Sequence, residues 1–128
     1  MHVRNTLLVT LVVLAPCAGV FARGGGAQAT ADPAPAVKPP AKGMHRYMVA
    51  RTFPPGALDG LDAAAKKAVN ACNSSHGVRW VYSYANADKT KTYCIYEGPS
   101  EKAVQDAATA NKIPVDSIVE IPVVLNPK

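Results

Sequence analysis

A few side chains in this sequence have the chemistry to bind, bridge or react. His45, His76 and Glu97 offer imidazole and carboxylate, the donors that zinc, nickel and copper accept. Cys72 and Cys94 offer thiols, and Cys94 sits inside the run KTYCIYEGP at 91–99. As a nucleophile Cys94 would need a neighbouring base and an electropositive setting, and His76, the one histidine within topological reach, belongs to a strand end rather than mid-strand. Trp80, Tyr82 and Tyr84 alternate along VRWVYSYA and form an aromatic stripe. No Ser/His/Asp arrangement, paired carboxylates or CxxC motif is visible, and Gly24–Gly26 lie in the leader or tether rather than in a phosphate loop. The residue types favour a binding protein over an enzyme.

These groups must be positioned by a small set of elements. HRYMVART at 45–52 is dense in strand formers and stops at Phe53, Pro54, Pro55 and Gly56. Leu58, Leu61, Ala65, Ala68, Val69 and Cys72 recur at threes and fours, an amphipathic helix that ends before Gly77. Val78–Ala85 alternates with period two and predicts a strand, with Val78, Trp80, Tyr82 and Tyr84 on one face. A polar turn at Asn86–Lys89 joins it to a third strand, Thr92–Glu97. Ser100 is placed to cap a second helix that buries Ala103, Val104, Ala107 and Ala108. Ser117–Leu125 reads as a fourth strand, and Pro122 assigns it to a sheet edge.

The order β-α-β-β-α-β is the ferredoxin-like arrangement, an α+β fold. Right-handed crossovers give a four-stranded antiparallel sheet in the order four, one, three, two, with both helices on one face. Both alternating sets of each strand carry apolar or aromatic residues: Tyr47 and Val49 against Met48 and Ala50, Tyr93 and Ile95 against Cys94 and Tyr96. A face so apolar is expected to be covered, either by a second copy, as in dimeric α/β barrels, or by a small ligand seated on Trp80, Tyr82 and Tyr84. The same topology puts His45, His76 and Glu97 at one end of the sheet. They either share a metal ion or are three unrelated surface groups. Cys72 and Cys94 are either bridged, if the helix rides close to the sheet, or Cys94 is a buried free thiol.

Around this domain, expected over 44–128, the chain carries two other segments. Arg4 followed by the apolar run Leu7–Ala15 predicts a cleaved signal peptide over 1–29, with cleavage after 22 or 29. The run is too short to span a bilayer, which takes about 20 apolar residues. Leu14–Cys17 resembles a lipobox only faintly, because Pro16 occupies a position that wants a small residue. Residues 30–43, TADPAPAVKPPAKG, predict an extended, disordered tether. Export to the periplasm or exterior follows. The net charge of +5 comes mostly from leader and tether, since 44–128 holds ten Lys/Arg against eight Asp/Glu. No basic stripe forms, and nucleic acid is disfavoured as a partner.

MHRYMVARTFP, GVRWVYSYANADKTKTYCIYEGPSEKAV and IPVDSIVEIPVV together resemble a family of small ferredoxin-like domains of unknown function, of which one member is described as nickel-binding. The resemblance covers 44–127 and implies a homodimer and an association with nickel or another divalent transition metal. It supplies no ligand motif that matches positions here.

Overall fold

The computed structural model describes residues 36–125 and residue 127. The leader, its cleavage sites, Cys17 and the first part of the tether lie outside these residues. Among the described residues no helix is long and apolar enough to cross a membrane.

The elements are β1 (His45–Thr52), α1 (Ala63–Ser75), β2 (Arg79–Ala85), β3 (Lys91–Gly98), α2 (Glu101–Ala110) and β4 (Ser117–Glu120). They form one antiparallel sheet in the order β2-β3-β1-β4. This is the ferredoxin-like βαββαβ fold with the strand order the sequence predicts. The central pair, β1 and β3, is fully in register from His45 opposite Gly98 to Thr52 opposite Lys91.

The helices begin where a side chain takes over an orphan backbone donor. Ser100 Oγ accepts from Ala103 N at 3.1 Å to open α2. Asp62 Oδ1 accepts from Ala65 N at 2.8 Å to open α1. The apolar stripe predicts an earlier start for α1, at Leu58. Instead Pro54–Leu61 is a chain of turns, with Ala57 N bonded to Pro54 O, Asp59 N to Gly56 O and Leu61 N to Leu58 O. Gly56 takes φ +77° within these turns, a left-handed value that suits glycine. β4 is also shorter than expected, because Pro122 has no N–H with which to extend the ladder.

Side-chain parity divides the sheet. Tyr47 and Val49 of β1, Cys94 and Tyr96 of β3, and Val78 join Val104 and Ala107 of α2 in the buried core, and Ile118 of β4 packs against it. The opposite face carries Arg46, Met48 and Ala50 of β1 opposite Glu97, Ile95 and Tyr93 of β3. Among the described residues no helix covers that face. Tyr93, Tyr84 and Val119 are exposed on it.

One expectation about faces fails at β2. Trp80 pairs with Tyr96, but the next partners are Tyr82 with Ile95 and Tyr84 with Tyr93, because Val81 is the extra residue of a bulge. A bulge shifts the alternation by one. Trp80 therefore packs against the helix-side core, and its indole donates to Ser83 Oγ at 2.8 Å. Tyr82 and Tyr84 lie on the open face, in an edge-to-face pair with ring centroids 5.3 Å apart. The three aromatics do not form one stripe.

Candidate functional site

The parity that splits the aromatics also separates the three predicted metal ligands. His45 shares the helix side of β1 with Tyr47, their rings 6.5 Å apart. Glu97 stands opposite Arg46, on the other face. The end of the sheet is common to both, but the strand lies between their side chains. Among the described residues there is no group of three or more His, Cys, Asp or Glu that could hold a metal ion.

Glu97 is committed elsewhere. Arg46 Nη2 donates to Glu97 Oε1 at 2.7 Å, and Arg79 donates to Oε2 through Nε at 3.1 Å and also through Nη2. The two guanidiniums reach Glu97 from β1 and β2, the strands on either side of β3, because Arg46 and Arg79 both register with it. Burial would push the Glu97 pKa up, but the hydrogen bonds from Arg79 and Arg46 outweigh it and hold the carboxyl below its usual range. Such a carboxylate has both oxygens occupied and is a poor ligand for an added cation. Alternation places Arg46, Arg79 and Glu97 on one face once the strand pairing is known. The pairing of these arginines with Glu97 is what reading single strands misses.

The histidines are better disposed. His45 Nδ1 lies 2.8 Å from Glu120 Oε1. His76, at the C-cap of α1, has Nδ1 3.0 Å from the Cys72 carbonyl and 3.2 Å from Ser75 Oγ. A carbonyl or an ionised carboxylate only accepts, so each Nδ1 carries a hydrogen, and in the neutral form of either ring the lone pair is on Nε2. Neither Nε2 has a hydrogen-bond partner among the described residues. A metal-binding histidine is usually oriented in this way, its second nitrogen held by a carboxylate or backbone carbonyl. His45 opens β1 and His76 caps α1 shortly before β2, so both lie toward the same end of the sheet.

Of the two alternatives for Cys72 and Cys94, the bridge between them is not formed: Cys94 is a free, buried thiol. Its sulfur contacts Thr92 Oγ1 at 3.4 Å. α1, which carries Cys72, packs on α2 and on the edge strand β2, whereas the helix over β3 is α2. Cys94 thus behaves as a small core side chain beside Tyr47, Val49 and Tyr96.

The open face has a cover at one end. Residues 36–40 run across it, and the Lys38 carbonyl accepts from Arg46 Nη2. A cleft of about 320 Å³ lies between Ala36, Val37 and Lys38 on one side and Arg46, Arg79, Val81, Tyr82 and Glu97 on the other. The sequence places this stretch in a free tether.

The family profile of the nickel responsive protein SCO4226-like family matches residues 47–121. The chain belongs to this family. Among solved structures it is similar to SCO4226 from Streptomyces coelicolor A3(2), with 20% identity over 62% of this chain and 99% of that one, at a TM-score of 0.49. No curated protein sequence matches it. Members of the SCO4226-like family are thus named for a response to nickel, and imidazole nitrogen is a donor type that suits such an ion. His45 and His76 supply two such nitrogens, not a complete set, and Glu97 does not join them.

Proposed function

We propose that this member of the SCO4226-like family is a small, exported, non-enzymatic protein that binds a divalent transition metal such as nickel, working as a homodimer. The observation that carries the reading is the shared state of His45 and His76, each with Nδ1 held by an acceptor and Nε2 left with a free lone pair. Water or groups of a second subunit would complete the ion's ligand set. The leader argues for export, and the exposed aromatic face argues for the dimer.

Calorimetric titration of the mature protein with Ni(II), Cu(II) and Zn(II) tests this. Saturable binding at micromolar metal is expected, and it should be lost in the His45→Ala/His76→Ala double variant. Absence of saturable heat from the parent protein would refute metal binding, and an unchanged double variant would refute the placement. The cleft beside Tyr82 and Glu97 supports a second reading, a small-molecule binder on the open face, since its volume of about 320 Å³ is at the low end of ligand pockets. Under that reading Tyr82→Ala abolishes ligand binding and leaves any metal binding untouched.

A further inference from the structure

The cleft at one end of the open face holds more positive than negative charge. Among the residues that line it, Lys38, Arg46 and Arg79 are cations and Glu97 is the acid. Three cations against one carboxylate leave a charge of +2 beside a space of about 320 Å³. Both oxygens of that carboxylate are already taken up by the two arginines, whose remaining donors have no second acid to meet.

Those remaining donors can be named. Arg79 spends Nε and Nη2, the side edge of its guanidinium, on Glu97 Oε2. Among the described residues its Nη1 has no hydrogen-bond partner, so the end edge, Nη1 with the outer hydrogen of Nη2, is open to a second acceptor in bidentate fashion. The side chain is 66% exposed, within reach of a ligand. Arg46 is nine-tenths buried, and its Nη2 serves both Glu97 and the Lys38 carbonyl. Its Nε is buried with no partner at all. A guanidinium that is nearly desolvated and only partly paired acts on a nearby anion with little screening. The ammonium of Lys38 is in no ion pair among the described residues.

The rest of the lining is apolar. Val37, Val81 and the half-buried ring of Tyr82 supply it, and Tyr84 backs that ring edge-to-face. We propose that this cleft is a binding site for a small organic carboxylate, whose apolar or aromatic body lies against Val37, Val81 and Tyr82 while its carboxylate meets the open edge of Arg79 and the Lys38 ammonium. The proposal rests on the second reading above, a small-molecule binder on the open face, and names the ligand class. The same charge excess repels a metal ion, so the cleft is independent of His45 on the opposite face. Ala36, Val37, Lys38 and Arg46 lie outside residues 47–121, the part matched by the family profile.

Nitrogen-15 NMR titration of the mature chain at constant ionic strength tests this, with sodium benzoate as probe and benzamide as its neutral counterpart of the same shape. Benzoate is expected to shift the amides of residues 79–82 with a dissociation constant of about 1 mM or tighter, and benzamide to bind at least about tenfold more weakly. Lys38→Gln and Arg79→Gln should each weaken benzoate about fivefold or more, as loss of a charge-assisted contact does. Lys38 holds Arg46 through its backbone and Arg79 is the exposed partner of Glu97, so both variants should keep the far-UV circular dichroism of the parent. Equal affinity for benzoate and benzamide overturns the carboxylate and leaves a small-molecule cleft standing. Benzoate affinity unchanged in both folded variants overturns the site and marks an adventitious additive only. No shift at residues 79–82 with either probe, at about ten times the expected dissociation constant, overturns both the carboxylate site and the small-molecule reading.

Discussion

Arg46 and Glu97 stand directly opposite each other on β1 and β3, and the arginine Nη2 donates to the carboxylate Oε1 at 2.7 Å. The pair is nearly desolvated, with side chains 10% and 2% exposed. Arg79, at 66%, closes the other carboxylate oxygen from the surface. Removing the acid from such a group strands a buried guanidinium, whereas removing the outer arginine leaves a pair intact. Glu97→Ala is expected to cost about 3–5 kcal/mol, and Arg79→Ala about 1 kcal/mol or less. Urea unfolding of the two variants measures the contrast, and equal losses would contradict the asymmetry.

The same group sets an acid limit. Burial raises the Glu97 pKa and the hydrogen bonds from Arg79 and Arg46 lower it further than that, for a net depression. Asp116 is also lowered, first by the Thr52 hydroxyl, which donates at 2.6 Å, and then by Lys91. With folded values below unfolded ones, the stabilisation is fully present above about pH 4.3, the unperturbed Glu value, and is lost as pH falls through the folded values. The stability gap between the parent and Glu97→Gln, followed by urea midpoint against pH, should therefore narrow below that point and stay constant above it.

Gly98 ends β3 where strand and helix meet. A Cβ there would lie 3.2 Å from Val78 Cγ2 and 3.3 Å from Val104 Cγ2, both fixed in the core. Gly98→Ala is expected to destabilise the domain by about 1–3 kcal/mol through overpacking. Val78→Ala in the same chain should restore part of the loss, so the double variant should be more stable than the sum of the single losses predicts.

Glu120 fixes the His45 ring, and its removal tests whether that orientation serves a metal. If His45 Nε2 is a ligand, Glu120→Ala should weaken nickel binding about 10–100-fold, the usual effect of losing an outer partner of a ligating histidine. Calorimetry reads the change. Unaltered affinity would place the ion away from His45.

Cys94 should be inert while the domain is folded. A maleimide applied to native protein and mapped by mass spectrometry is expected to leave Cys94 unmodified, and to label it after denaturation in urea. Labelling of the native thiol would contradict its burial among Tyr47, Val49 and Tyr96.

The sequence by itself determined the element order, the strand order, the cap at Ser100 and the edge position of β4, because local periodicity, turn residues and the handedness of crossovers leave one arrangement for six short elements. Residue type and spacing did not carry the rest, which depends on pairing across strands. The Val81 bulge moved Trp80 away from Tyr82 and Tyr84, since one extra residue reverses the alternation. Register put Glu97 between Arg46 and Arg79 and on the face opposite His45, which turned an expected ligand into a clamped counter-ion. The packing of α1 on β2 and α2 left Cys94 as a free thiol. The segment at 36–40 that lies against Arg46 has no periodicity to announce it: a proline-rich segment looks the same free or docked, and only the sheet face it meets decides between the two.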